Sequence, residues 1–455
     1  MKTTSRDAGW VGALCCLTAA YAIGQSIQVS NGNGAPEAFK WLALGLASLV
    51  MAVAAGDLGR PGRWAGGLIV ALGGMMALHQ VYQLGSVPPA VYLRATSFFE
   101  YMQRLGPFAA LGLSLLSVRP WLGKAALPVW LGSFFVLGAW LISRSPAPSI
   151  DVFSWTNYAV ENLLKGNNPW LINYPNPYGH TLWYAPGMAD SQWVYSGYGY
   201  PPASFLISAM GYAFGDMRWA NVSCLAIAAT CFFFIRGRFG AIAAVLLLTT
   251  PRVLFVLEQA WTDVYIIGLL GLVIWAALKW PKATPYFLGV MFATKQYMVF
   301  VAPIALLLCP PEWTLKQKAI FLAKALGTAA VLTLIPFGVT DPVKLIKSIT
   351  VSGHPFRTES LSFLAQTAVN GVPVWPVWIQ LPLLIPTYAL IWWRAPRGPV
   401  GFAMGMALLM SVFFSFSKHA FCNHHFLALG CACAALAAIL SQPVPTERTE
   451  APTAS

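Results

Sequence analysis

Charge is what this chain has least of. Only 9% of its 455 residues are Asp, Glu, Lys or Arg, against roughly 25% in soluble domains. That excludes a soluble domain with an ordinary charged surface. Alternating short strands are missing, which excludes a membrane β-barrel. There is no P-loop, GxSxG or dinucleotide fingerprint, so nucleotide-driven chemistry is not expected. No CxxC or Cys/His spacing suggests zinc. Most of the eight cysteines (Cys15, Cys16, Cys224, Cys231, Cys309, Cys431 and Cys433) lie in apolar runs, as small buried side chains do. The net charge is +13, but the basic residues stand in ones and twos at the ends of apolar runs. A nucleic-acid surface needs a dense basic stripe, so no nucleic-acid partner is expected.

Apolar runs are there in abundance, many near the ~20 residues that cross a bilayer. Helices satisfy their own backbone groups in lipid, so the fold class is all-α, a polytopic integral membrane protein. Fourteen spans are expected: 8–28, 38–56, 64–82, 105–118, 126–143, 218–235, 239–257, 262–279, 284–296, 297–309, 318–337, 376–393, 398–416 and 423–441. The first run follows Lys2 and Arg6 and lacks a small-residue cleavage site, which reads as an uncleaved signal-anchor.

Charge sets the orientation. With the N-terminus in the cytoplasm, seven basic clusters fall inside: Lys2/Arg6, Arg60/Arg63, Arg119/Lys124, Arg236/Arg238, Lys279/Lys282, Lys316/Lys318/Lys324 and Arg394/Arg397. Reading 284–309 as one span would turn the last two outward, so it is read as a pair. Segments 146–217 and 338–375 then lie outside, with Lys295 and Lys418 near the outer face. The short run 201–217 begins with Pro-Pro and reads as an interfacial or re-entrant helix. Residues 153–165 mix aromatic and polar side chains, as a helix at headgroup level does.

Between the fifth and sixth spans lies a polar island, residues 146–200. It carries SIDVFSWTNYAVENLLKGNNPW and ends in YGYPP. A long aromatic loop between spans points to reaction or recognition at the membrane surface. Asp151 is its candidate general base, able to deprotonate an acceptor hydroxyl; capping the helix that follows is the plainer role. Further outer-side carboxylates are Glu161, Asp190, Glu258, Asp263 and Glu359. Lys295, in ATKQY inside an apolar stretch, is costly unless it faces a cavity or partner. Arg357 and His354 in GHPFRTES join it as candidates for a phosphate site, with Arg252, Lys344, Lys347 and Lys418 on the same side. The aromatic cluster (Trp155, Tyr158, Trp170, Tyr174, Tyr178, Trp183, Tyr184, Trp193, Tyr195, Tyr198 and Tyr200) reads as an interfacial belt, a sugar platform or a greasy groove. Asn157, Asn162, Asn167, Asn168, Asn173 and Asn176 add amides suited to sugar hydroxyls. His419, His424 and His425 lie close in sequence. Adjacent histidines on a helix diverge by about 100°, so no metal is assigned to them.

The order of these motifs resembles the GT-C superfamily of membrane glycosyltransferases, and most of all glycosyltransferase family 87, the polyprenyl-phosphate-mannose-dependent α-mannosyltransferase type. Asp151, Ala159, Leu163/Leu164, Gly166 and Asn168-Pro169 match its first pattern. Tyr200-Pro201-Pro202, Lys295 and Glu359-Ser360-Leu361 match the later ones. The resemblance covers roughly 126–441. It leaves 1–125 as accessory transmembrane helices and 442–455 as a disordered cytoplasmic tail.

What the resemblance implies is inverting transfer of a sugar, mannose being one choice, from a polyprenyl-phosphate donor to a lipid or glycan acceptor. The transfer would occur at the extracytoplasmic face of the cell membrane. Asp151 would be the base, and Lys295, Arg357 and His354 would hold the donor phosphate. Tyr200, Trp155, Asn168, Glu258 and Asp263 are further candidates for sugar or lipid contact. No cofactor is expected. The acidic pair of metal-dependent members has no clear counterpart, so no metal is assigned, and a divalent metal is left open. Segment 171–200 is longer and more aromatic than the family pattern. The alternative is a lipid-linked sugar transporter or flippase, which needs charges along a central path.

Overall fold

A computed structural model describes residues 9–56, 63–94, 98–116, 120–235, 238–335, 341–350, 357–369 and 380–439. The fold is that of an all-α membrane protein. Among the described residues, six helices are long and apolar enough to cross a bilayer.

The chain opens with α1 (Gly9–Val29), α2 (Pro36–Ala55), α3 (Arg63–Ser86), α4 (Phe98–Ser114) and α5 (Pro120–Arg144). The polar island follows: α6 (Asp151–Leu164), strands β1 (Tyr174–Pro175) and β2 (Trp193–Val194), and α7 (Pro202–Tyr212). Next come α8 (Arg218–Phe234), α9 (Arg238–Thr249), α10 (Val253–Glu258), α11 (Asp263–Lys279) and α12 (Thr284–Phe292). Two 3-10 helices, Gln296–Val301 and Pro303–Leu308, lead into α13 (Leu315–Leu334) and α14 (Pro342–Thr350). The described part ends with α15 (Phe363–Val369), α16 (Gln380–Arg394), α17 (Pro399–Ser415) and α18 (Cys422–Ile439).

Local chemistry explains several ends. Prolines open α2, α7, α12 and α17 in their first turns, where the missing N–H costs nothing. Thr314 and Gln317 close a capping box on α13. Three expected spans, 239–257, 284–296 and 297–309, are not continuous α-helices. Run 239–257 divides into α9 and α10 at Pro251, because the residue before proline is driven out of the helical region. Run 284–309 stops being helical at Ala293–Lys295 and continues as 3-10 turns. Its far end returns to the Arg397 side of the fold, where Gly398 N donates to Leu307 O at 2.7 Å. This segment therefore enters and comes back, with Lys295 at its tip.

Helix α18 is the hub, 94% buried, while α13 is 11% buried at the rim. Around α18 pack α1, α9, α11 and α17. Small residues allow close approach: a Cβ on Gly430 of α18 would lie 2.6 Å from the Ile267 side chain of α11, and one on Gly268 of α11 would lie 2.8 Å from the Cys224 carbonyl oxygen of α8.

Residue 125 lies within α5, and packing continues across it. One continuous core runs from α1 to α18. Gln80 accepts from Thr249 Oγ1 at 2.9 Å, and Arg394 Nε donates to Ala54 O at 2.8 Å. Apolar faces on α1–α5 need a partner, and the later helices supply it.

The polar island has a second, aromatic core. Trp155, Trp170, Tyr174, Tyr184, Tyr198 and Phe205 fill it, with Leu345 of α14. Strands β1 and β2 pair antiparallel, Tyr174 opposite Val194, and tie the loop across it.

Candidate functional site

Asp151 is the first residue of α6, after Ile150 in extended conformation. Its Oδ1 accepts from Val152 N at 2.7 Å. A carboxylate is favoured there by the positive end of the helix. Buried Arg218 braces the approach: it donates to Ser145 O at 2.7 Å, forks onto Asp216, and lies 4.8 Å from the centre of the Phe153 ring. Two phenols face the carboxylate. Tyr178 Oη accepts from Asp151 N at 3.2 Å. Burial, and then the Asp151 charge, push the Tyr178 and Tyr184 hydroxyls well above the usual phenol range. Both stay protonated and can donate.

Lys295 occupies the break between α12 and the first 3-10 helix, and Ser204 Oγ holds the turn by donating to Thr294 O. Its ammonium lies 3.3 Å from Asp263 Oδ2 and 4.1 Å from the centre of the Tyr200 ring. Asp263 also accepts from Asn423 Nδ2 at 2.8 Å and from the Tyr297 hydroxyl. The buried carboxylate thus has three partners, and Lys295 is held rigidly rather than left to snorkel.

Arg357 lies between two rings, 4.7 Å from the centre of Trp183 and 5.2 Å from that of Phe421, and pairs with Glu359. Its segment is laced to its neighbours. Arg357 N donates to Lys418 O at 3.3 Å, Leu361 N to Ala420 O at 2.8 Å, and Gly34 N to Glu359 O at 2.8 Å.

These groups meet in one cavity of about 600 Å³. Asp151, Lys295, Arg357 and Tyr200 line it together with Lys418, His419 and His424. Aromatic walls come from Tyr178, Trp183, Tyr184, Trp261, Phe413 and Phe414. Among the lining residues there is one carboxylate against three lysine and arginine cations. Such a site can hold an anion beside a base.

The other candidates sit elsewhere. Asp263 lies behind Lys295 as its partner. Glu258 is fully buried and accepts from Val91 N at 2.7 Å and Tyr92 N at 2.9 Å, so it braces a loop rather than facing the cavity. Trp155 donates its Nε1 to Pro175 O at 2.9 Å inside the aromatic core. Asn168 accepts from Trp170 N at 3.0 Å. His354 lies outside the described residues. Much of the expected sugar platform is therefore packing, since Trp170, Tyr174 and Tyr198 are fully buried. The asparagines follow suit: Asn176 Nδ2 donates to His180 O and Asp190 O, and Asn162 Nδ2 to Tyr158 O. Arg252 and Lys344 donate to backbone carbonyls of Pro88 and Leu171. His425 turns away, its Nε2 2.7 Å from Leu361 O.

Asn31, Asn33 and Tyr92 also line the cavity, from the segment set aside as accessory. The signal for the first two was legible: SNGNG is a turn between two spans on the face assigned to Asp151. Among the described residues, no three His, Cys, Asp or Glu side chains gather as metal ligands would.

Comparison with protein-family models, with curated proteins and with solved structures finds no match for this chain.

Proposed function

We propose that this chain is a membrane glycosyltransferase of the GT-C kind. It moves a sugar from a polyprenyl-phosphate donor to an acceptor hydroxyl at the extracytoplasmic face of the cell membrane. The observation that carries the reading is the meeting of Asp151, Lys295 and Arg357 in one aromatic-walled cavity. Asp151 takes the proton of the acceptor hydroxyl. Its oxygen attacks the anomeric carbon, and the bond from that carbon to the phosphate oxygen breaks with inversion. Lys295, Arg357 and Lys418 offset the charge that appears on the leaving phosphate.

Sidedness supports the reading. Helix α16 starts in the cavity at Gln380 and ends away from it at Arg394, and α11 runs from Asp263 beneath the cavity to Lys279. The basic ends of both helices thus lie opposite the site, as positive-inside orientation requires. The transporter reading gains no support: beyond Asp263, α11 is an apolar, largely buried helix as far as Lys279.

The test is transfer of labelled sugar from polyprenyl-phosphate donors in membranes carrying the wild type or Asp151→Asn. Label in an acceptor with the wild type alone is the expected result. Equal label with the variant would remove Asp151 as the base. No label from any donor, with acceptor present, would remove the reading.

A further inference from the structure

One wall of the cavity comes from the hairpin between α1 and α2. Asn31 has φ 55° and Gly32 φ 78°. Among residues other than glycine, asparagine takes this left-handed backbone comparatively readily. A Cβ on Gly32 would lie 2.4 Å from the backbone of Cys422, so the hairpin rests directly on the start of α18. A bridge between Asn33 and Ser360 joins it to the segment that carries Arg357. The hairpin is therefore fixed on two sides, and both of its asparagines line the cavity.

Their side chains differ in what is left to offer. Asn33 Nδ2 donates to Ser30 O at 3.0 Å. Asn31 is half-buried, and its amide has no hydrogen-bond partner among the described residues. An amide carries a donor and an acceptor side by side. Neighbouring hydroxyls of a sugar offer the complementary pair, and inverting one hydroxyl spoils the match. An amide with no protein partner, held in a cavity wall by a hairpin pinned on two sides, is placed to meet a ligand.

Position says which sugar. A phosphate held by Lys295 and Arg357 is bonded directly to the anomeric carbon of its glycosyl group. The cavity gives that ring room beside the Arg357 wall, to which the hairpin is joined through Asn33 and Ser360. We infer that Asn31 is a specificity-determining residue, which reads the hydroxyl configuration of a hexosyl group carried on phosphate. This rests on the reading that the cavity takes a glycosyl phosphate donor. It also gives residues 1–125 a direct part in the site.

The test uses detergent-purified full-length protein and reads binding by tryptophan fluorescence, since Trp183 and Trp261 line the cavity. The probes are polyprenyl-phosphate-linked mannose, glucose and galactose, and polyprenyl phosphate alone. The variant is Asn31→Gly, because glycine accepts the left-handed backbone while the side chain with its amide is removed. The wild type is expected to prefer one hexose by about 10-fold, and the variant to hold less than about 3-fold of that preference. Its affinity for polyprenyl phosphate alone should not change.

A wild type that does not discriminate overturns the inference, and so does a variant that keeps the full preference. Equal weakening for all four probes would also overturn it, by making the hairpin merely structural. Binding with Asn31-dependent preference but no sugar transfer would sustain the inference and overturn the transferase reading alone. Binding of none of the glycosyl phosphates would overturn both.

Discussion

Lys295 meets Asp263 at 3.3 Å where both side chains are almost shut off from solvent, 7% and 1% exposed. The pair joins the tip of the 284–309 segment to the first residue of α11. It aims a cation at the cavity and cancels part of its charge from behind.

Removing one partner should therefore cost more than removing both. Asp263→Asn leaves a buried ammonium without its counter-charge, which costs about 3–5 kcal/mol. Lys295→Met strands the carboxylate, and the double variant should recover much of the loss. Thermal unfolding midpoints in detergent for the four proteins check this. Additive losses in the double variant would contradict coupling.

Asp151→Asn should separate chemistry from folding. The amide keeps an oxygen for Val152 N and loses the base. Transfer should fall about 10²- to 10⁴-fold, while the first-turn charge contributes only about 0.3–1 kcal/mol to stability. Initial rates and melting curves on the same preparations decide it. A variant that is inactive because it is unfolded would leave the base assignment without this support.

Arg357→Lys keeps the charge and loses the planar group stacked between Trp183 and Phe421. Lysine lacks the fork that matches phosphate oxygens. Donor KM should rise about 10-fold with kcat changed less, a loss of about 1.4 kcal/mol in binding. An unchanged KM would place Arg357 outside the donor site.

Glu359 gives a pH dependence of known sign. Burial raises its carboxyl, but the hydrogen bond from Arg357 and the charge of that guanidinium outweigh burial and hold it below the usual glutamate value. A lowered folded pKa contributes stability that is complete above the unfolded value, about 4.3. That contribution is lost as pH falls through the lower folded value. Between pH 6 and pH 3, the Arg357 segment should loosen from Trp183, read as a change in tryptophan emission. Glu359→Gln should flatten that change. A full transition in the variant would assign it to another group.

Much of the fold follows from patterns along the chain. Helices fill most of the expected spans because apolar runs in lipid must pair their own backbone groups. Departures come where one residue overrides the run, as at Pro251, or where packing does, as at Lys295. The candidate site was half legible. Asp151, Arg357 and Tyr200 stood out in the outer-side loops and Lys295 as a charge inside an apolar stretch, and all four line the cavity. Glu258 and Asp263 stood out for the same reason and proved to be braces. A carboxylate beside a span looks alike in sequence whether it meets a ligand, an amide or a lysine.

Composition and spacing by themselves determined the all-α membrane class and marked the polar island, residues 146–200, that carries Asp151. Those signals are local, set by helix pitch, bilayer thickness and the cost of charge in lipid. Only the tertiary structure decided which charges are paired, which aromatics are interior and which loops close the cavity. Lys295 and Asp263 are 32 residues apart, and Asn33 reaches the Arg357 segment across more than 300. No periodicity along the chain encodes such meetings; helix packing makes them.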